Sequence, residues 1–363
     1  MRVLVAMSGG VDSTVAAFVL KAAGHEVSGI TMKLFCYDRE EGPSRPCCDG
    51  EAIRAARRSA DILGIPHTVT DLEETFRRDV IDDFVSEYGR GRTPNPCIRC
   101  NSHVKFGPLI EKAQKMGFDA VATGHYVRLL PAEPPEAGWA LHRARDAAKD
   151  QSYVLWSLPA ERLPACIFPL GRTTKGVVRR LARRLGLTDW DRPESQDICF
   201  VPTGEHGRFL AERLPESHPM RRPGPVRLVG SGAQIGAHAG LLGMTIGQRH
   251  GTGAMGGGRL YAVRLDVDQA TLWVGPREAG LCAGLVASPG NLLAPQGLLA
   301  GAGVGARIRY RQTPVPCGVR LLEDRWEVRF DAPEGGVSPG QSVVFYLGDR
   351  MLGGARIEAP IPL

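Results

Sequence analysis

The chain has 363 residues, 43% of them hydrophobic and 23% charged, an ordinary globular composition that excludes whole-chain disorder. No run approaches the roughly 18 unbroken apolar residues of a membrane span. Forty-five basic against 39 acidic residues leave +6, which admits a polyanionic partner without demanding one.

The start, MRVLVAMSGG, has one Arg, a short apolar run and no cleavage-site pattern, and reads as a mature cytoplasmic N-terminus. Arg2–Met7 is a β-type run, 13–23 a helix ended by Gly24, 26–32 a second strand, 51–63 a helix ended by Gly64, and 66–69 a third strand. A helix over 106–116 ended by Gly117 and a strand over 119–123 extend the alternation. Strands alternating with glycine-closed helices are the signature of right-handed βαβ units on a parallel sheet, whose ligand sits at the carboxyl ends of the strands. From about Phe209 glycine and proline become dense. Short β-rich runs at 260–265, 271–274, 306–310, 326–330 and 342–346 point to a small C-terminal β-barrel. The expected organisation is an α/β domain over 1–207, a central linker domain over 208–280 and a β-barrel-like domain over 281–363.

Between Arg172 and Arg184 lie six basic residues (Arg172, Lys175, Arg179, Arg180, Arg183, Arg184) and no acid, while Val178, Leu181, Ala182 and Leu185 fall at helical spacing. This predicts an amphipathic helix with one positive face, suited to phosphates. Nine cysteines without a secretion signal argue against a disulfide scaffold. The isolated Cys166, Cys282 and Cys317 are expected to be small buried hydrophobes.

Three constellations carry chemistry. Ser8-Gly9-Gly10-Val11-Asp12-Ser13 follows a strand and opens a helix, so its glycines and backbone N–H groups suit a phosphate, without a Walker lysine. The rival Gly251–Gly256 lacks a preceding strand and reads as a loop. In Thr93-Pro94-Asn95-Pro96-Cys97-Ile98-Arg99-Cys100-Asn101 two prolines set an extended loop before a C-x-x-C that can bind metal, form a redox disulfide or supply a nucleophile. In Glu194-Ser195-Gln196-Asp197-Ile198-Cys199-Phe200 a cysteine sits among polar residues, where reactive thiols are found.

SGGVDS resembles the PP-loop of the ATP pyrophosphatase superfamily. Together with the TGHY of 123–126, TPNPCIRCN, the KDQSYVL of 149–155, ESQDICF, the MTIGQRHG of 244–251 and the ARIRYRQ of 306–312, in this order, the chain resembles the tRNA-specific 2-thiouridylase family over essentially its whole length. The resemblance implies replacement of O2 of the wobble uridine by sulfur, with ATP and Mg2+, in tRNAs for Lys, Glu and Gln. It implies an ATP site at Ala6, Met7, Ser8, Gly9, Gly10, Val11, Asp12 and Ser13, with Met32 and Gly124. It implies a persulfide on Cys199, supplied by a sulfur-carrier protein or cysteine desulfurase relay, and Cys100 as a nucleophile that releases the sulfur by forming a disulfide with Cys199. Asn95, Pro96 and Cys97 match the target-base contact. His125, Lys149, Asp150, Gln151, Arg309, Tyr310 and Gln341 match tRNA contacts.

Many relatives carry Asp-x-x-Cys where this chain has Cys97-x-x-Cys100. Cys97, Cys100 and Cys199 are enough to hold three irons of a 4Fe–4S cluster with the fourth open for sulfide, so persulfide relay and cluster-bound sulfide are competing routes to one product. Another PP-loop ligase or amidotransferase would share SGGVDS but needs neither cysteine motif. An RNA-binding protein with a degenerate nucleotide fold would not keep Ser8, Gly9, Gly10, Asp12 and Ser13 intact. Cys36, Cys47 and Cys48 have no assigned role.

Overall fold

The computed structural model describes residues 1–35, 50–133, 138–187, 198–201, 204–249, 251 and 258–363. Cys36, Cys47, Cys48, the segment Glu194–Asp197 and most of the rival glycine motif lie outside the described residues.

The first half is built as its periodicity dictates. Strand β1 (Arg2–Ala6) leads into helix α1 (Val11–Ala22), then β2 (Glu26–Lys33), helix α2 (Gly50–Leu63), β3 (His67–Asp71) and β4 (Ala120–Ala122). Gly24, Gly64 and Gly117 all take positive φ where the helices end, which is the terminating role expected of them. A hairpin follows, β5 (Val127–Pro131) with β6 (Trp139–Arg143), and then the two-residue β7 (Cys166–Ile167). The first sheet is parallel in the order β3-β2-β1-β4-β7. Its strand order reverses between β1 and β4, the kind of switch point at which open α/β sheets take their ligands.

The central segment forms its own four-stranded sheet from Gly224–Leu228, Gln234–His238, Tyr261–Asp266 and Thr271–Gly275, over a small core of Met220, Val226, Leu241 and Leu272. The β-runs expected at 260–265 and 271–274 therefore belong to this sheet. In the C-terminal part Leu281–Ala287, Trp326–Gly335, Val315–Leu321, Val304–Arg307, Ser342–Leu347 and Arg350–Ile361 pair antiparallel in that order, and the last pairs with the first to close a barrel. The run expected at 306–310 ends at Arg307, beyond which the Ile308 N–H donates to the Gln312 side chain at 2.9 Å instead of to a strand.

The hairpin β5–β6 comes from the first half yet joins the barrel, with His142 opposite Arg350. One apolar core accordingly runs from Leu4, Ile30 and Val121 of the parallel sheet through Leu141 and Tyr153 to Val344, Tyr346 and Met351 of the barrel. Within that seam the fully buried Asp150 carboxylate meets Arg307 at 2.6 Å, the Ser152 hydroxyl at 3.0 Å and the Ala144 N–H at 3.0 Å. A buried ion pair survives only when its remaining lone pairs are satisfied in this way.

Candidate active site

The loop after β1 is braced by its own hydroxyls. Ser13 Oγ donates to the Gly10 carbonyl at 3.0 Å and accepts the Ser8 N–H at 3.2 Å, and Thr14 Oγ1 donates to the same carbonyl at 3.0 Å. Gly10 caps α1 with no side-chain hydrogen bond, leaving the first N–H groups of the helix for an anion. Two glycines are forced by close approach. A Cβ on Gly9, at φ +75°, would lie 2.7 Å from the Ala52 carbonyl oxygen, and one on Gly124 would lie 2.9 Å from the backbone of Asp12 and Ser13. Helix α2 and the segment after β4 thus pinch the loop from two sides. Behind the loop, Met7 is buried and its carbonyl accepts a hydrogen bond from Thr31 Oγ1 at 2.8 Å.

Sequence reasoning missed the cation of this site. Lys175 Nζ lies 2.7 and 2.8 Å from the two carboxylate oxygens of Asp12, and the Tyr126 hydroxyl donates to Asp12 at 2.8 Å. Lys175 was expected on the positive outer face of its helix, Lys175–Arg184. It is buried instead, while Arg172, Arg180, Arg183 and Arg184 are exposed, Arg179 is half-buried, and Val178 and Ala182 face inward. Lys175 is the first residue of the helix, and its N–H is held by the Asp146 carboxylate at 2.9 Å. The sequence signal was the one lysine in a run of arginines, at the only basic position that shares the apolar face.

The cysteine loops are positioned from two directions. The segment before Cys97 is clamped to the barrel: Thr93 N–H donates to the Pro339 carbonyl at 2.8 Å, and Arg92 pairs with Glu358 at 2.6 Å and Glu87 at 2.8 Å. Asn95 then caps a short helix, Pro96–Cys100, by accepting the Cys97 N–H at 3.1 Å. This turn leaves Cys97 exposed and turns Cys100 inward, 7% exposed. Cys100 and half-buried Cys199 pack on one apolar cluster with Phe76, Phe84 and Phe200, although they are 99 positions apart. Phe200 anchors its neighbour, with its ring 5.2 Å from Phe84 and 5.6 Å from Phe76. Met32 touches both this cluster and the core under the nucleotide loop, so it lies between the two candidate centres.

Cys97 is exposed and Cys199 half-buried, while Cys100, Cys166, Cys282 and Cys317 are buried. Burial pushes Cys166 and Cys317 up to about 12 and Cys282 upward, which suits inert core thiols. Among the described residues no group of three His, Cys, Asp or Glu side chains is disposed to hold a metal ion. Cys97 is exposed while Cys100 and Cys199 pack on the apolar cluster, and no step is derived through an iron–sulfur cluster.

The remaining candidates divide. Exposed Tyr310 packs edge-on to Tyr153 at 6.2 Å; burial of its hydroxyl, then the charges of Asp150 and Cys97, push it up to about 12, so Tyr310 and Cys97 are electrostatic neighbours. Gly340, next to half-buried Gln341, abuts Thr93 so closely that a Cβ would lie 2.9 Å from its nitrogen. Asn95, Pro96, Cys97, Tyr310 and Gln341 thus belong to one neighbourhood, with exposed Arg309 beside Tyr310. His125 packs against Phe106 and Phe168 with Nδ1 2.7 Å from Thr123 Oγ1; burial, then Lys105, lowers it to about 3, so its imidazole is neutral. Lys149 and Gln151 are half-buried, and Gln151 Oε1 accepts the Tyr126 N–H at 2.9 Å. The Asp150 carboxylate faces the interior seam already described.

Residues 1–203 match the tRNA methyl transferase HUP domain, 207–276 the tRNA methyl transferase PRC-barrel domain and 296–357 the aminomethyltransferase beta-barrel domain. The chain is 46% identical to the tRNA-specific 2-thiouridylase MnmA of Geobacter metallireducens over 99% of this chain and 97% of that one. It is 45% identical to the proteins of that name from Geotalea uraniireducens, over 98% and 95%, and from Thermus thermophilus, again over 98% and 95%. At this identity over nearly its full length, the chain belongs to the tRNA-specific 2-thiouridylase family.

Proposed function

We propose that the protein replaces O2 of a wobble uridine in tRNA by sulfur at the expense of ATP. The observation that carries this reading is the packing of Cys100 and Cys199 on one cluster, joined through Met32 to the core beneath a braced phosphate loop. The uridine C2 carbonyl is a poor electrophile. Attack of O2 on the α-phosphate of ATP expels pyrophosphate and leaves an adenylylated oxygen that departs as AMP. Magnesium would travel with the triphosphate and shield its charge.

On this chain the α1 N-terminus and the Ser8–Ser13 hydroxyls hold the phosphates, and Lys175, brought from another helix, supplies the cation that a Walker lysine would otherwise provide. Asn95, Cys97 and Tyr310 surround the place for a base taken out of its stack. The terminal sulfur of a Cys199 persulfide attacks C2 and displaces AMP. The Cys100 thiolate then attacks Cys199 Sγ, forming a Cys100–Cys199 disulfide and releasing 2-thiouridine; a thiol reductant returns two electrons. The sulfur comes from a carrier protein or desulfurase relay, and tRNAs for Lys, Glu and Gln are the expected substrates. The test is tRNA-dependent release of pyrophosphate with formation of 2-thiouridine, in wild type and in Cys199→Ser. Pyrophosphate release without thiolation in the variant is expected, and normal thiolation by it would sink the persulfide route.

A further inference from the structure

We propose that the cavity between the β5–β6 hairpin, the turn at Arg172 and Asp349 is a separate anion site that holds a phosphodiester of the RNA backbone. The inference rests on the reading of the protein as a tRNA-modifying enzyme and adds a second point of attachment to it. The cavity encloses about 680 Å³ and is walled by Arg128, Arg143, Arg145 and Arg172, with Asp349 as the one acidic residue of its lining.

The charge does not cancel. Arg128 pairs with Asp349 at 2.8 Å, and Arg143 lies 3.7 Å from Asp150, a carboxylate already engaged by Arg307 at 2.6 Å. Neither Arg145 nor Arg172, both exposed, pairs with a carboxylate among the described residues.

The walls are fixed before any ligand arrives. Arg128 Nε donates to the Arg143 carbonyl at 2.6 Å, the Arg143 N–H donates to the Asp349 carbonyl at 2.8 Å, and the Arg145 N–H donates to the Gly171 carbonyl at 3.0 Å. Gly171 crosses β5 with no room for a Cβ against the Val127 carbonyl. The backbone that carries these arginines is thus set, the Arg128 guanidinium is held, and a guanidinium fork matches phosphate oxygens better than an ammonium group does.

The occupant follows from position. The cavity shares no lining residue with the Ser8–Ser13 loop, Gly124 or Lys175, to which the nucleotide phosphates are assigned in the proposed function. It is larger than one phosphate, and its wall continues through Arg145 into the 146–150 loop that carries Lys149. A backbone running past the reacting base satisfies both features.

The test measures tRNA affinity as a function of KCl for wild type, Arg145→Gln/Arg172→Gln and Asp349→Asn, with ATP binding as the folding control. Losing two duplex phosphate contacts lowers the slope of log K against log salt by about 1.8. The double variant should show this drop with ATP binding kept, and Asp349→Asn, which frees Arg128, should bind tRNA more tightly. If the double variant does not fold, Arg172→Gln alone should lower the slope by about 0.9. A wild-type slope in the variants overturns the proposal. So does a result in which inorganic pyrophosphate protects wild type but not the double variant against thermal unfolding while the tRNA slope stays unchanged, since the cavity then serves a free anion. Wild type that binds no tRNA at all defeats the tRNA-modifying reading, and this site with it.

Discussion

Replacing Lys175 by Met tests the nucleotide site most directly, because it removes one charge and little volume. In the wild type the ammonium sits 2.7 Å from Asp12 and is 9% exposed, while the Asp12 side chain is 30% exposed. Breaking a fully buried pair costs about 3–5 kcal/mol. Here Asp12 keeps its Tyr126 hydrogen bond and some solvent, so a stability loss of about 1–3 kcal/mol is expected. The catalytic cost should be larger in effect. A preorganised charge aimed at a developing anion contributes about 10²–10³ in rate, so tRNA-dependent pyrophosphate release should fall by that factor while tRNA affinity holds. Stability is followed by urea unfolding, and the chemical step by pyrophosphate release at saturating ATP. Lys175→Arg keeps the charge and should recover part of the rate. Pyrophosphate release at the wild-type rate in Lys175→Met would refute the assignment and reduce the Asp12–Lys175 pair to a packing contact.

Gly124→Ala places a methyl group 2.9 Å from the backbone of Asp12 and Ser13 and should raise the KM for ATP with little change in tRNA affinity; an unchanged KM would show that the loop can yield. Asp150→Asn leaves Arg307 buried without its counter-charge and should cost about 3–5 kcal/mol in urea unfolding, a loss that a wild-type midpoint would contradict. Burial holds His67, His103, His125, His142, His206 and His238 below their ordinary value. Their folded forms resist protonation while the unfolded chain takes protons near 6.5, so stability is complete above that pH and falls as pH drops below it. His125→Gln should flatten this acid-side fall, measured as unfolding midpoints between pH 7 and 5. Arg180→Gln/Arg183→Gln/Arg184→Gln tests the outer helix face, where a reduced salt dependence of tRNA binding is expected and an unchanged one would leave those arginines as solvated surface.

The α/β half was legible because its helices end in glycine and its strands are short apolar runs, features that act locally. What escaped was set by partners far along the chain. Strand β7 is only Cys166–Ile167, too short to carry a pattern, and exists because β4 offers it an edge. The helical run from Glu73 to Gly89 contains a wider turn at Arg77–Ile81, and that after Pro96–Cys100 another at Asn101–Lys105; no local propensity marks them. Lys175 reads as one more cation of a basic helix until Asp12, 163 positions away, is found against it. The cysteines stood out from their settings in the sequence, but their shared cluster depends on Phe76, Phe84 and Phe200, whose convergence no spacing reveals.

The hairpin at 127–143 imposes an order on synthesis. Its apolar residues Val127 and Leu141 are fully buried in the finished molecule, but the strand beside it, Arg350–Ile361, leaves the ribosome about 200 residues later. At roughly 5–20 residues per second the nascent hairpin waits about 10–40 s for that neighbour. During that interval the parallel sheet can close while one flank stays apolar and open to water, a window in which a ribosome-associated chaperone, or a second nascent chain, competes for the same strand edge.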